Sequence, residues 1–100
     1  MDDIKNWKFS KSVSPEEVSG YLEQLMLLTP GTSVTFDLSD TVNIHSHVIG
    51  FLIHAKHHME KIGGKLTIIL SLTVEKILIM LNIREYFSPD IMMALNRKTA

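Results

Sequence analysis

The stretch VNIHSHVIGFL sets Ser46 between His45 and His47, directly after an apolar run and directly before a helical pattern. Three chemistries suit such a trio. Nucleophilic catalysis by the hydroxyl needs a base within hydrogen-bond reach, an acid that orients the base, and oxyanion donors. Immediate neighbours in sequence seldom supply that geometry, and no G-x-S-x-G elbow is present. Metal binding is the second chemistry, since the chain has five histidines. At about 100° per residue His47, His54 and His58 fall on one line of a helix, yet His47 and His54 are separated by about 10 Å of rise. That leaves His54 and His58, an i,i+4 pair able to supply two corners of a zinc or nickel site with no third ligand in view, so no metal site is assigned. The third chemistry uses position: a serine in the first turn of a helix sits among free backbone N–H groups at the positive end of the macrodipole, where a phosphoryl group is stabilised. A serine that merely caps the helix occupies the same place, and local physics does not separate the two.

The elements that must position Ser46 alternate between strand and helix. NWKFSKSV has partial period-two alternation that places Trp7, Phe9 and Val13 on related faces of one strand. SPEE follows, with Ser14 as N-cap, Pro15 at the first helical position and Glu17 completing a capping box. The helix that it opens runs through about Leu28, with Val18, Tyr21, Leu22, Leu25 and Leu28 inward, and TPG stops it. SVTFDLSD reads as a buried strand, because Val34, Phe36 and Leu38 alternate. A second helix from about Ser46 to Ile62 carries Val48, Leu52, Ala55, Met59 and Ile62 on one stripe and ends at Gly63-Gly64. KLTIILS is a strand expected to be covered on both faces, TVEKILIMLNI a third helix with Val74, Ile77, Leu78 and Leu81 inward, and SPDIMMALNRK a short final helix opened by Ser88 before Pro89.

This order predicts an α/β domain: a small, open, mostly parallel β-sheet with helices packed on it in βαβαβα sequence. Ligands and partners of such sheets gather at the carboxyl ends of the strands, where Ser46 lies. One hundred residues make a single domain spanning the whole chain, 1–100, and the formal charge of −1 offers no global attraction to nucleic acid or anionic lipid. The absence of cysteine excludes disulfides and thiolate chemistry. No signal peptide or membrane span is evident, so a cytoplasmic location with no membrane insertion is expected.

VTFDLSDTVNIHSHVIGFLIHAKHHMEKIGGKLTIILSLTVEKILIMLNIREYF resembles the STAS domain, shared by sulphate transporters and bacterial anti-sigma factor antagonists. The match rests on Asp37-Leu38 at the end of an apolar strand, a loop, Ser46 at the position of the family's Asp-Ser pair, then a helix, Gly63-Gly64, an apolar strand and a last helix closing near Tyr86-Phe87. Resemblance to the antagonist branch implies a partner-switching regulator with no catalytic activity and no cofactor. Its serine is phosphorylated by a serine kinase that is also the anti-sigma factor; a phosphatase of the PP2C type is a further expected partner. By position Ser46 is the acceptor. Three residues depart from the family pattern: His45 replaces its aspartate, His47 a small residue and Val48 a glycine, which implies a retuned switch. The family begins with a pair of strands where this chain has room for little more than one, leaving a sheet edge near Trp7.

The partner-binding surface is expected around Ser46, formed by His45, His47, Val48, Ile49, Phe51 and His54, with Phe51 partly exposed beside the histidines. The chain is expected to be a monomer or weak dimer. The same resemblance allows a second role, a constitutive STAS subunit of a membrane transport assembly such as a lipid-transport ATPase or sulphate transporter, which needs no phosphorylation.

Overall fold

A computed structural model describes residues 4–93. Its elements run β1 (Ile4–Lys8), α1 (Pro15–Met26), β2 (Ser33–Leu38), α2 (Ser46–Lys61), β3 (Lys65–Leu70), α3 (Leu72–Met80), a 3-10 helix (Glu85–Asp90) and β4 (Ile91–Met93). All strands are parallel and lie in chain order, β1-β2-β3-β4. Each crossover therefore steps the same way along the sheet. Because parallel crossovers are right-handed, every helix falls on one face.

Burial along the strands follows from that one-sidedness. Val34, Phe36 and Leu38 of β2 and Leu66, Ile68 and Leu70 of β3 are buried, whereas the alternate residues Thr35, Asp37, Thr67 and Ile69 are only half-buried. The sequence expectation that β3 is covered on both faces is thus corrected: its β-branched composition suits a strand, but unidirectional order leaves no helix for the second face among the described residues. In the registered row Trp7, Phe36, Ile68 and Ile91, the side chains point toward the helices. Trp7 stacks on Tyr21 of α1 at 5.3 Å and on Phe36 at 5.5 Å, so the aromatic at the open β1 edge is itself buried.

The helices form where their caps and stripes require. Ser14 accepts from the Glu17 N–H at 3.1 Å, while Glu17 reaches the Ser10 N–H at 2.9 Å, farther back than a capping box does. Of α1's expected inward residues Leu25 is buried, Val18, Tyr21 and Leu28 are half-buried and Leu22 lies at the surface. The stripe of α2 is as expected, with Val48, Leu52, Ala55 and Met59 sealed beneath it. In α3 Val74 and Leu78 are buried, but Leu81, expected inward, is the C-cap and is exposed. The expected final helix is also corrected. Ser88 and Pro89 lie inside a 3-10 helix and the chain then straightens into β4, while the rest of that expected helix lies outside the described residues. Three rungs of β-pairing with β3 outcompete a helix start here because they extend the buried row.

Two side-chain clasps fasten this last segment to α2. Lys56 Nζ is 2.8 Å from Asp90 and 5.3 Å from the Tyr86 ring centre, and Tyr86 Oη is 2.6 Å from His57 Nε2. The hydrogen bond that Lys56 donates to the Asp90 carboxylate raises the Lys56 pKa despite the opposing effect of burial.

Gly63-Gly64 ends α2 with the Gly63 N–H on Glu60 and the Gly64 N–H on Met59, a Schellman arrangement with Gly63 at φ +69°. A Cβ on Gly64 would meet the Thr32 carbonyl, which already accepts from the Lys65 N–H, and would lie 2.6 Å from Met59 Cε. Gly50, in the middle of α2, has nothing within 4 Å of a Cβ. Gly64→Ala is therefore expected to destabilise by about 1–3 kcal/mol, whereas Gly50→Ala stabilises by about 0.5–1 kcal/mol through helix propensity; urea unfolding of the two variants measures both.

Candidate functional site

Parallel strands with helices on one face bring the helix N-termini to the same edge, the one at the carboxyl ends of β1, β2 and β3. Ser14 caps α1 and Ser71 caps α3 through the Val74 N–H at 3.1 Å. The α2 terminus differs. His45 is its N-cap residue and makes no side-chain capping bond, so Ser46 is the first helical residue rather than the cap. The Val48 and Ile49 N–H groups bond to the His45 carbonyl. Those of Ser46 and His47 have no protein partner among the described residues, as the first turn of an α-helix dictates.

Ser46 and His45 are exposed and His47 is half-buried. The two imidazoles stack with centroids 5.7 Å apart and planes inclined by 27°. His47 Nε2 donates to the Val13 carbonyl at 3.3 Å, which ties the start of α2 to the chain entering α1. No hydrogen bond links the Ser46 hydroxyl to either ring among the described residues. The pair therefore stands as two nitrogen-bearing flanks beside an accessible hydroxyl rather than as an aligned base.

A dense set of bonds holds the loop that delivers Ser46. Thr41 is fully buried and donates its hydroxyl to the Ser10 carbonyl at 2.9 Å. Its own carbonyl accepts from the Ser71 hydroxyl at 2.7 Å. Val42 and Asn43 both donate N–H groups to the Lys11 carbonyl, and Ser12 and Asn43 form a parallel bridge. Where β2 enters this loop, Lys8 Nζ lies 2.9 Å from Asp40, 3.5 Å from Asp37 and 3.2 Å from the Ser39 hydroxyl. Burial pushes the Asp37 carboxyl up, but hydrogen bonds from Ser39 and the charge of Lys8 outweigh it and leave its pKa below the usual carboxylate range. Sequence reasoning missed Thr41 and Ser71 as loop anchors, since neither belongs to a periodic pattern.

Two residues of the expected partner surface are placed elsewhere. Val48 is fully buried because it begins the core stripe of α2. Phe51, expected to be partly exposed, is 4% exposed and stacks on Phe36 at 5.4 Å, filling the space between α1 and the sheet. Exposed around Ser46 are His45 and His54, joined by half-buried His47 and Ile49. A shallow groove of about 220 Å³ nevertheless reaches the edge of the Phe51 ring, lined also by Val18, Leu22, His47, Gly50 and His54. Gly50 keeps this groove open one turn along from Ser46; sequence reasoning passed over it, although a glycine inside a helical pattern is a signal that could have marked the place.

His54 and His58 stack nearly parallel with centroids 6.4 Å apart, and no third His, Cys, Asp or Glu joins them among the described residues. His58 Nε2 is buried without a hydrogen-bond partner. No helix among the described residues is long and apolar enough to cross a membrane.

Comparison with protein-family models, curated proteins and solved structures finds no match to this chain. Its likeness to the STAS domain thus rests on the residues quoted from its own sequence.

Two outcomes test how the loop is held. Thr41→Val strands the Ser10 carbonyl and is expected to cost about 1–3 kcal/mol, with hydrogen exchange accelerating at residues 41–45 beyond the global change. Asp37 with a depressed pKa stabilises the fold above the unfolded carboxylate pKa of about 4 and loses that contribution as pH falls through its folded pKa. Asp37→Asn should therefore lower the melting temperature at pH 7, by the equivalent of under about 1 kcal/mol given the exposed lysine, and the gap to wild type should close in melts at pH 3 or below.

Proposed function

We propose that the protein is a partner-switching regulator of the anti-sigma factor antagonist type, a STAS-like binding module working in the cytoplasm and controlled by phosphorylation of Ser46. The observation that carries the reading is an exposed serine at the first helical position of α2, on the edge of a parallel sheet where three helix N-termini meet. Unmodified, this edge offers a partner a neutral hydroxyl, two imidazoles and the groove above Phe51. Such a surface combines a small apolar recess with polar groups that can bond across an interface.

Phosphorylation adds a charge of about −1.5 to −2 at this point. Inside a packed interface that charge is stripped of water, so desolvation disfavours the complex. In the free protein the same charge is well placed. The unpartnered Ser46 and His47 N–H groups and the dipole of α2 stabilise an anion, and the flanking imidazoles offer it further hydrogen-bonding nitrogens. The histidines in place of an aspartate and a small residue thus make the released, phosphorylated form more favourable.

The partner in this reading is a serine kinase that also sequesters a sigma factor, with a PP2C-type phosphatase restoring the hydroxyl. Copurification from the native cell with wild type, Ser46→Ala and Ser46→Asp as baits tests it, with mass spectrometry of Ser46 on the recovered wild type. Alanine is expected to retain the kinase and aspartate to weaken it at least about tenfold, equivalent to 1.4 kcal/mol. Equal retention by the two variants, together with an unmodified Ser46, overturns the switch and favours a constitutive subunit.

A further inference from the structure

β1 is an edge strand whose two halves differ. The Phe9 N–H bonds inward to the Asp37 carbonyl, so the odd-numbered residues pair with β2 while the backbone groups of Ile4, Asn6 and Lys8 face away from it. α1 closes the carboxyl end of that outer side: the Tyr21 hydroxyl donates to the Lys8 carbonyl, and Glu17 accepts from the Ser10 N–H. Toward the amino end the cover stops. The Asn6 N–H and carbonyl and the Lys8 N–H have no protein partner on this side among the described residues.

Beside this open half lies a groove of about 240 Å³ between β1 and the end of α1, lined by Lys5, Trp7, Gln24, Leu27 and Leu28. Lys5 and Trp7 are two residues apart and so share the strand face that looks toward α1. Lys5 is exposed and in no ion pair among the described residues. Lysines on an edge strand commonly ward off pairing. Here Lys8 is drawn toward β2 by Asp37, Asp40 and Ser39, and Lys5 is turned into the groove.

We infer that the amino half of β1 takes up a short extended segment of a partner protein as an added strand, a segment carrying an apolar side chain and, two residues on, a carboxylate. The open backbone groups are matched by another backbone, while the groove beside them selects the side chains. Trp7, Leu27 and Leu28 receive the apolar one, and the Lys5 ammonium complements the acidic one. In an antiparallel ladder, the more stable kind, the residue opposite Asn6 exchanges both backbone bonds with it; the residue before it lies beside Trp7 and the residue after it beside Lys5. The Tyr21 cap at the Lys8 carbonyl keeps the added strand short and its affinity modest. The inference is independent of the reading of Ser46.

The blocked peptide acetyl-Thr-Leu-Thr-Glu-Thr-amide, titrated into the isotope-labelled full chain and followed by heteronuclear NMR, tests this. Saturable shifts are expected at the Asn6 and Lys8 amides, the Trp7 indole and the Gln24 side-chain amide, with a dissociation constant on the order of 1 mM or below. N-methylation of the central threonine removes the N–H that reaches Asn6 and is expected to weaken binding at least about fivefold, whereas N-methylation of the leucine, whose N–H points to solvent, leaves it within about twofold. Lys5→Glu is expected to weaken the peptide about three- to tenfold, and lysine in place of the peptide's glutamate to restore it. Failure to saturate by about 5 mM, equal weakening by the two N-methyl groups, or shifts centred away from the β1 groove overturns the proposal. So do shifts at these amides that grow with protein concentration alone, which put a second copy on the edge.

Discussion

The handedness of the crossover is the constraint on which the rest of the molecule depends. A right-handed return between parallel strands, repeated in one direction, places α1, α2 and α3 on one face and aligns their N-termini along one edge. A doubly wound sheet of the same elements would divide those termini between two faces. Here the chain entering α1, the loop before α2 and the cap of α3 lie close enough to exchange bonds. Thr41 reaches Ser10, Ser71 reaches Thr41, and His47 reaches Val13. The accessible serine is therefore carried by a ledge braced from both sides.

Much of this architecture was legible because local signals and the core pattern agree. SPEE opens α1, the stripe from Val48 to Met59 lies under α2, and Gly63-Gly64 closes it with the φ that glycine tolerates. Alternation identified Val34, Phe36 and Leu38 as the inner face of β2. What escaped was nonlocal. A Ser-Pro pair is a good helix start, yet Ser88-Pro89 lie in a 3-10 helix and the chain pairs with β3 from Ile91 onward, and the three described strand residues are too few to show a period of two. β3 looked doubly covered because Ile69 and Thr67 suit a buried strand as well as an open face, and strand order alone decides between them.

The candidate site was legible in position more than in surface. The trio His45-Ser46-His47 falls at the start of α2, as the switch from strand to helix pattern implied. Exposure was harder to read, since helical angles place a residue relative to its own helix and not to the next one. Phe51 sits off the centre of α2's stripe but is roofed by α1, and so becomes core with a single edge open to the groove. Thr41 illustrates the converse: a polar loop residue that no pattern marks is sealed at 0% exposure because its two bonds to neighbouring segments replace those it loses to water.

The clasps at the far side of the sheet have a different bearing. Among the described residues β4 meets β3 at three positions, and its attachment leans on the Lys56–Asp90 ion pair, with side chains 12% and 19% exposed, and on Tyr86 against His57. Its release would bare the long apolar edge of β3, a template for strand addition. These few side chains on the outer surface of α2 thereby guard the chain against intermolecular β-pairing, a protective duty quite apart from anything that happens at the serine.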